Sequence, residues 1–138
     1  MSATIEKKKP DIFSQLMLVV SKVPYNGRES YIVAEYVAEF EGLVVIKDIR
    51  PEPFEDKTQW EVPKKSVKQW PQRGQLPSLK KGDTVYSQWW CPDVEPGFSS
   101  MFYKAKVIEA DENTGRVDVV FEGESAVVPI PRDKMFIE

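Results

Sequence analysis

The chain has 138 residues, with 19 Lys or Arg against 22 Asp or Glu and a formal net charge of -3. Its 41% hydrophobic content supplies a packed core, and its length suits one ordinary domain or two small ones. The balanced charge excludes a global cationic field for phosphate backbones, so nucleic acid is not the expected main partner. A single cysteine, Cys91, excludes an intrachain disulfide and a multi-cysteine zinc site.

The amino-terminal ten residues are polar and include the consecutive lysines Lys7, Lys8 and Lys9. This composition lacks the apolar centre of a signal peptide, and no later segment approaches the roughly 20 apolar residues of a membrane span. We therefore expect a disordered tail over residues 1–10, an intracellular protein and no membrane partner.

Alternation of apolar and polar residues predicts an almost entirely β protein. In chain order, strands are expected around residues 16–20, 31–38, 43–49 and 58–62, and then at 84–90, 102–110, 116–121 and 126–130. No window keeps a helical period, and only residues 64–69 and 132–135 are expected to form single 3-10-type turns. A loop rich in proline and glycine separates the two series of strands.

The two series resemble each other. Residues 31–48 and 103–122 each contain a long strand, a hairpin with a glycine, and a shorter β-branched strand that leads into an acidic residue. This repetition predicts two small, strongly bent antiparallel barrels packed side by side. The expected organisation is a tail (1–10), a first repeat (11–70), a linker (71–80) and a second repeat (81–138). A single irregular β-sandwich is the alternative.

Three aromatic residues are placed to meet at one open end of the second repeat. Trp89 lies near the end of one predicted strand, Tyr103 begins the next, and Phe121 ends the one after. Aromatic faces attract an organic cation by ~0.5 to 2 kcal/mol per contact, and Glu122 or Glu124 would add long-range attraction. The alternative is that these rings only fill two small cores.

A family resemblance rests on three segments of the second repeat. Residues 82–89, Gly-Asp-Thr-Val-Tyr-Ser-Gln-Trp, are followed by Phe-Tyr-Lys-Ala-Lys-Val at 102–107 and by Val-Val-Phe-Glu-Gly-Glu at 119–124. This pattern resembles a Tudor repeat. From about Asp11 onward the chain looks like the tandem Tudor module of SAGA-associated factor twenty-nine, the histone-reading subunit of SAGA-type acetyltransferase complexes.

The resemblance implies a function for both repeats. In that family the second barrel holds the trimethylated fourth-residue lysine of histone H3 in an aromatic cage, here Trp89, Tyr103 and Phe121. An acidic pocket in the first barrel holds the free amino terminus of H3, and Asp48 matches one of its acids. Where a second acid is often found two positions later, this chain has Arg50. Glu52 is the expected substitute, with Glu55 and Asp56 as alternatives in the same loop.

Residues 91–100 are a second departure from the family pattern. With Trp90 at its base as a possible rim residue, this insertion is expected to form either an extra wall of a peptide groove or a flexible loop.

The predicted function is that of a nuclear reader of H3 tails trimethylated or dimethylated at the fourth residue, within an acetyltransferase complex and without a cofactor or metal. One alternative is a nucleic-acid-binding double barrel, and another is a structural adaptor that docks complex subunits. An enzyme is disfavoured because the chain has no histidine and no activated Ser or Cys arrangement. A nucleic-acid-binding barrel would use a local basic cluster around the linker, although such a cluster usually is a solvated surface. It comprises Lys64, Lys65, Lys68, Arg73, Lys80 and Lys81.

Overall fold

The computed structural model describes residues 18–25, 27–51, 57–72, 75–91 and 97–137, and the expected tail at 1–10 lies outside them. Within these ranges the protein is all β, as predicted, and the paired strands are antiparallel. The strands are β1 (Leu18–Tyr25), β2 (Arg28–Phe40), β3 (Leu43–Asp48), β4 (Gln59–Pro63), β5 (Lys68–Trp70), β6 (Thr84–Cys91), β7 (Gly97–Asp111), β8 (Arg116–Phe121), β9 (Val128–Pro131) and β10 (Met135–Phe136).

The strand order is the same in both halves of the molecule. Strands β1–β5 form the first half in the spatial order β5-β1-β2-β3-β4, and strands β6–β10 form the second half in the order β10-β6-β7-β8-β9. Strands β2 and β7 join the halves where Ile32 lies opposite Met101. The predicted internal repetition is therefore present in the topology.

The register repeats as well. Val19, Ala34 and Asp48 lie side by side across β1, β2 and β3. In the second half, Val85, Ala105 and Phe121 lie side by side across β6, β7 and β8.

Ala34 of β2 and Ala105 of β7 are the central alanines of these two rows. In each strand the register shifts just beyond the second residue after that alanine, between Tyr36 and Ala38 in β2 and between Val107 and Glu109 in β7. Such a bulge increases the local twist and bends the strand. Ile32 and Tyr103 each lie two residues before the central alanine, so they occupy equivalent positions. The sequence comparison instead paired Tyr31 with Tyr103, so the structural alignment of the repeats differs from it by one residue.

Each half has a 3-10 turn at the equivalent position, directly after its fourth strand. Lys64–Ser66 follows Pro63, and Arg132–Lys134 follows Pro131. Both turns were predicted, but each is shorter than expected, and the residues beyond them form β5 and β10. Sequence pattern did not predict these two strands because two or three residues carry no readable alternation.

Three clusters of buried side chains hold the sheet together. One lies in the first half around Val44, Ile46 and Trp60, and a second lies in the second half around Val107, Val119 and Ile130. A third cluster joins the two halves through side chains from both, namely Val20, Val33, Trp70, Phe102 and Phe136. Phe102 is thus a core residue, as alternation along β7 predicts. The boundaries of the units at 11–70 and 81–138 stay a prediction.

Candidate functional site

A β-bulge near the end of strand β6 positions Trp89. The register between β6 and β7 shifts between Gln88 and Trp90, so Trp89 falls at the irregularity. Its backbone N–H donates to the hydroxyl of Ser99 at 2.9 Å, and that hydroxyl donates to the carbonyl of Met101 at 2.7 Å. The Gln88 side-chain amide donates to the Ser99 carbonyl at 2.6 Å. Ser99 therefore holds the bulge in one shape. Sequence reasoning did not single out Ser99, because a serine beside an expected loop gives no signal.

Trp89, Tyr103 and Phe121, here called the ring cluster, lie together. The rings of Trp89 and Phe121 are stacked, with centroids 4.6 Å apart and planes 21° apart. Tyr103 meets both edge-on, at 5.8 Å from Trp89 and 6.4 Å from Phe121. The cluster thus has a stacked pair and one ring perpendicular to it, a corner of two aromatic walls.

The three rings differ in exposure. Tyr103 is 37% exposed and Trp89 is half-buried, whereas Phe121 is only 1% exposed. Because Trp89 covers the face of Phe121, a ligand can reach Tyr103 and the outer part of Trp89, while Phe121 supports Trp89 from the core. Direct contact of a cation with Phe121 would require the stacked pair to separate.

Glu122 and Glu124 lie in the exposed turn that follows β8. The backbone N–H of Glu122 donates to the carbonyl of Lys104, and that of Glu124 donates to the carbonyl of Phe121. Their backbones are thereby fixed beside the ring cluster. Since both residues are solvent-exposed, any attraction that they exert on a cation is screened by salt.

Asp48 is a buried carboxylate at the end of β3, only 3% exposed. One oxygen, Oδ1, accepts the backbone N–H of Arg50 at 2.8 Å. The other, Oδ2, is buried and has no hydrogen-bond partner in the described part of the chain. A buried carboxylate oxygen without a donor is costly, so a ligand donor would stabilise it. Direct contact of a ligand with Oδ2 would require the residues that cover Asp48 to move. Glu52, the expected second acid, and its alternatives Glu55 and Asp56 lie outside the described residues.

The register links Asp48 to the ring cluster. Asp48 occupies in the first half the position that Phe121 occupies in the second. In the same alignment of the two halves, Ile32 of the first half is equivalent to Tyr103 of the second. The two halves thus carry the same structural position with different chemistry, a carboxylate beside aliphatic residues in one and aromatic rings in the other.

The insertion at 91–100 is partly strand. Residues 97–100 begin β7, with Gly97 opposite Cys91 and Phe98 opposite Trp90, while residues 92–96 lie outside the described ranges. The ring of Trp90 is 45% exposed and meets that of Phe98 edge-on at 5.2 Å. Residues 97–100 are therefore paired strand, which favours the ordered alternative for this part of the insertion, and an extra wall of a peptide groove stays a prediction.

The described basic residues of the predicted cluster lie in different elements of the fold. Lys64 pairs with Glu39 at 2.8 Å, and the ammonium of Lys68 lies 4.9 Å from the ring centre of Phe136. Lys80 and Lys81 are exposed in the turn before β6. Arg73 lies outside the described residues. Lys64 has its charge balanced locally, which weakens the nucleic-acid alternative.

The described residues offer neither a metal site nor a membrane-spanning helix. No group of three or more Cys, Asp or Glu side chains is arranged to hold a metal ion there. No helix in those ranges is long and apolar enough to cross a membrane.

The repeated five-strand order, the bent antiparallel sheet and the ring cluster define a Tudor-like protein. The family model of the SGF29 tudor-like domain matches residues 17–134. The chain therefore belongs to the SGF29 tudor-like domain family, as the resemblance predicts. This is a family of chromatin readers, and its domain is of a reader type rather than a catalytic one. A comparison with curated proteins finds no match.

Removing the Ser99 hydroxyl should destabilise the fold. In Ser99→Ala the backbone N–H of Trp89 loses its acceptor, and an unsatisfied buried donor costs about 1 to 3 kcal/mol. We expect the free energy of unfolding, measured by urea denaturation, to fall by about that amount. Ser125→Ala, at an exposed position, is the matched control and should leave it within about 0.5 kcal/mol. Equal stability of the two variants would contradict the role of Ser99.

Proposed function

We propose that this protein binds the amino-terminal tail of histone H3 when its fourth residue is trimethyl- or dimethyl-lysine. The ring cluster takes the methylated ammonium, and Asp48 takes the free amino terminus. One observation supports the proposal above all: two equivalent positions of the two halves hold a buried carboxylate and a cluster of three aromatic rings. One oxygen of that carboxylate has no partner among the described residues.

The chemistry of each position suits its proposed ligand group. A trimethylammonium cannot donate a hydrogen bond, so aromatic faces attract it through the ring quadrupole. A primary α-ammonium donates three hydrogen bonds and prefers a carboxylate acceptor. Exchange of the two groups between the sites would lose both interactions, which gives the peptide one orientation.

The separation of the two sites supports the proposal. Directly paired residues share a face of the sheet, so Asp48, Ala34, Ile32, Met101 and Tyr103 lie on one face. Two steps across strands and four residues along them place Asp48 and Tyr103 at most about 16 Å apart. An extended peptide covers about 10 Å from its first to its fourth residue, and a lysine side chain adds several ångströms more.

Partners and location follow from this proposal. A domain that reads a histone tail acts in the nucleus, and other subunits of an acetyltransferase complex are its expected protein partners. We propose no catalytic residue and no cofactor, because recognition of a peptide by a carboxylate and aromatic rings requires neither. Glu122 and Glu124 contribute a supporting field at the ring cluster, Glu52 remains the proposed companion of Asp48, and Trp90 remains a proposed rim residue.

Four H3 peptides test the proposal by titration calorimetry. They combine unmodified or trimethylated lysine at the fourth residue with a free or acetylated amino terminus. We expect tightest binding for the trimethylated free peptide. Loss of the methyl groups, or of the charged terminus, should each weaken binding about tenfold, equivalent to about 1.4 kcal/mol.

Two results would contradict the proposal. Equal affinity for unmodified and trimethylated peptide would remove the role of the ring cluster, and equal affinity for free and acetylated peptide would remove that of Asp48. Tight, salt-sensitive binding of duplex DNA in a gel-shift assay, with no peptide binding, would favour the nucleic-acid alternative.

A further inference from the structure

Arg50 stands where the family pattern often has a second acid, and it contacts the second half of the molecule. Its guanidinium Nη1 donates to the carbonyl of Phe98 at 3.3 Å. A methyl group added at Gly97 would come within 2.6 Å of the same nitrogen. The chain therefore passes close to the guanidinium at a glycine, where a larger residue would displace it.

The segment that Arg50 contacts is paired with only one other strand in the described part of the chain. Trp90 and Cys91 of β6 pair with Phe98 and Gly97 of β7, and we call these four residues the hairpin ribbon. Within the described ranges no third strand pairs with the ribbon, since β10 pairs with Tyr86 and Ser87. Phe98 packs against the core of the second half, and its ring centre lies 5.1 Å from the Lys134 ammonium, so those contacts tie the ribbon to its own half. Arg50 adds a contact from the first half.

A continuous series of contacts connects Asp48 with Trp89. Asp48 Oδ1 accepts the backbone N–H of Arg50, and the Arg50 guanidinium donates to the carbonyl of Phe98. The next residue, Ser99, accepts the backbone N–H of Trp89. The buried carboxylate of one half and the backbone of Trp89 in the other are thus joined through Arg50.

We propose that Arg50 is a positioning residue that ties the hairpin ribbon to the first half and so sets the distance between Asp48 and Trp89. The ligand roles of these two sites rest on the proposed function, whereas the tie itself is a property of the protein without ligand. With the tie in place, a peptide bound at Asp48 presents its fourth residue to the ring cluster. Without it, each end of the peptide binds independently of the other.

If Arg50 acted only through its charge, its removal would have the opposite effect on peptide binding. Arg50 is a cation beside a site proposed for an ammonium, so its removal would raise peptide affinity if it acted only through its field. Lys47→Ala is the matched control, because it removes the same charge from an exposed residue adjacent to Asp48. Gly97→Ala is the complementary variant, since it keeps the charge and displaces the guanidinium, although it also strains the backbone at φ +159°.

Amide hydrogen exchange tests the tie without any ligand. We expect the backbone N–H of Trp89 to exchange about tenfold faster in Arg50→Ala and in Gly97→Ala, the effect of losing one hydrogen bond of the series. It should exchange at the wild-type rate in Lys47→Ala. Unchanged exchange in both test variants would overturn the proposal, whatever the protein binds.

The four H3 peptides then test the consequence. In the wild type and in Lys47→Ala, acetylation of the amino terminus should reduce the gain from trimethylation, because the two ends are read together. In Arg50→Ala and Gly97→Ala that gain should be the same for free and acetylated peptides within about twofold. If acetylation still reduced the gain from trimethylation in both variants, as in the wild type, the proposal would be overturned. If the wild type bound all four peptides with equal affinity, the proposed function would be refuted instead. The hydrogen-exchange result would then still decide whether Arg50 ties the ribbon to the first half.

Discussion

Trp89→Ala is expected to weaken binding of the trimethylated H3 peptide by about 30-fold, equivalent to about 2 kcal/mol. Tryptophan gives the strongest cation–π attraction of the aromatic residues, and Trp89 also covers the face of Phe121 at 4.6 Å. The substitution removes one wall of the corner formed with Tyr103. Titration calorimetry with trimethylated and unmodified peptide measures the loss, which should fall almost entirely on the trimethylated form.

The control for this substitution is another exposed aromatic residue. Phe40 is 46% exposed at the end of β2, distant in sequence and in the sheet from the ring cluster. Phe40→Ala should leave affinity within about twofold, because surface substitutions away from a site have small effects. A comparable loss in both variants would indicate general unfolding. Full retention of affinity in Trp89→Ala would exclude the ring cluster as the methyl-lysine site.

Trp89→Phe refines the same experiment. A phenyl ring keeps a face for the cation but gives a weaker quadrupole attraction, so affinity should lie between those of the wild type and Trp89→Ala. Such a ranking supports direct contact of the methylated ammonium with the side chain at position 89. An affinity of Trp89→Phe equal to that of Trp89→Ala would contradict it.

Much of the fold follows from local pattern. Long strands with alternating residues, such as β2 and β8, were predicted, as were both 3-10 turns. The short strands β5 and β10 were not, because they exist only through pairing with β1 and β6. The start of β7 was also missed, since Gly97 and Ser99 have the composition of a loop. Their strand conformation depends on contacts with distant residues such as Arg50.

The candidate site shows the same division. Alternation along the strands brought Trp89, Tyr103 and Phe121 to one end of the second half. It could not predict that Trp89 stacks on Phe121, because the stacking depends on the bulge that Ser99 holds. Nor could sequence show that Asp48 Oδ2 has no hydrogen-bond partner among the described residues, since this depends on which donors the folded chain brings near it.

The two halves should unfold as one unit, and Phe102 is the residue that tests this. Its ring contacts Trp70 of the first half at 5.1 Å and Phe136 of the second half at 4.9 Å, edge-on in both cases. Phe102→Ala leaves a cavity in the cluster that joins the halves and should lower the free energy of unfolding by about 3 to 5 kcal/mol. That is a large share of the roughly 5 to 15 kcal/mol of a typical domain.

The adjacent residue provides the matched comparison. Tyr103 follows Phe102 on β7 and points to the opposite face, where it is partly exposed. Tyr103→Ala should reduce affinity for the trimethylated peptide about tenfold and change stability little. Urea denaturation followed by tryptophan fluorescence and by circular dichroism should give one coincident transition in the wild type. Two separate transitions, or similar stability of Phe102→Ala and Tyr103→Ala, would show that the halves are held together by something other than this shared core.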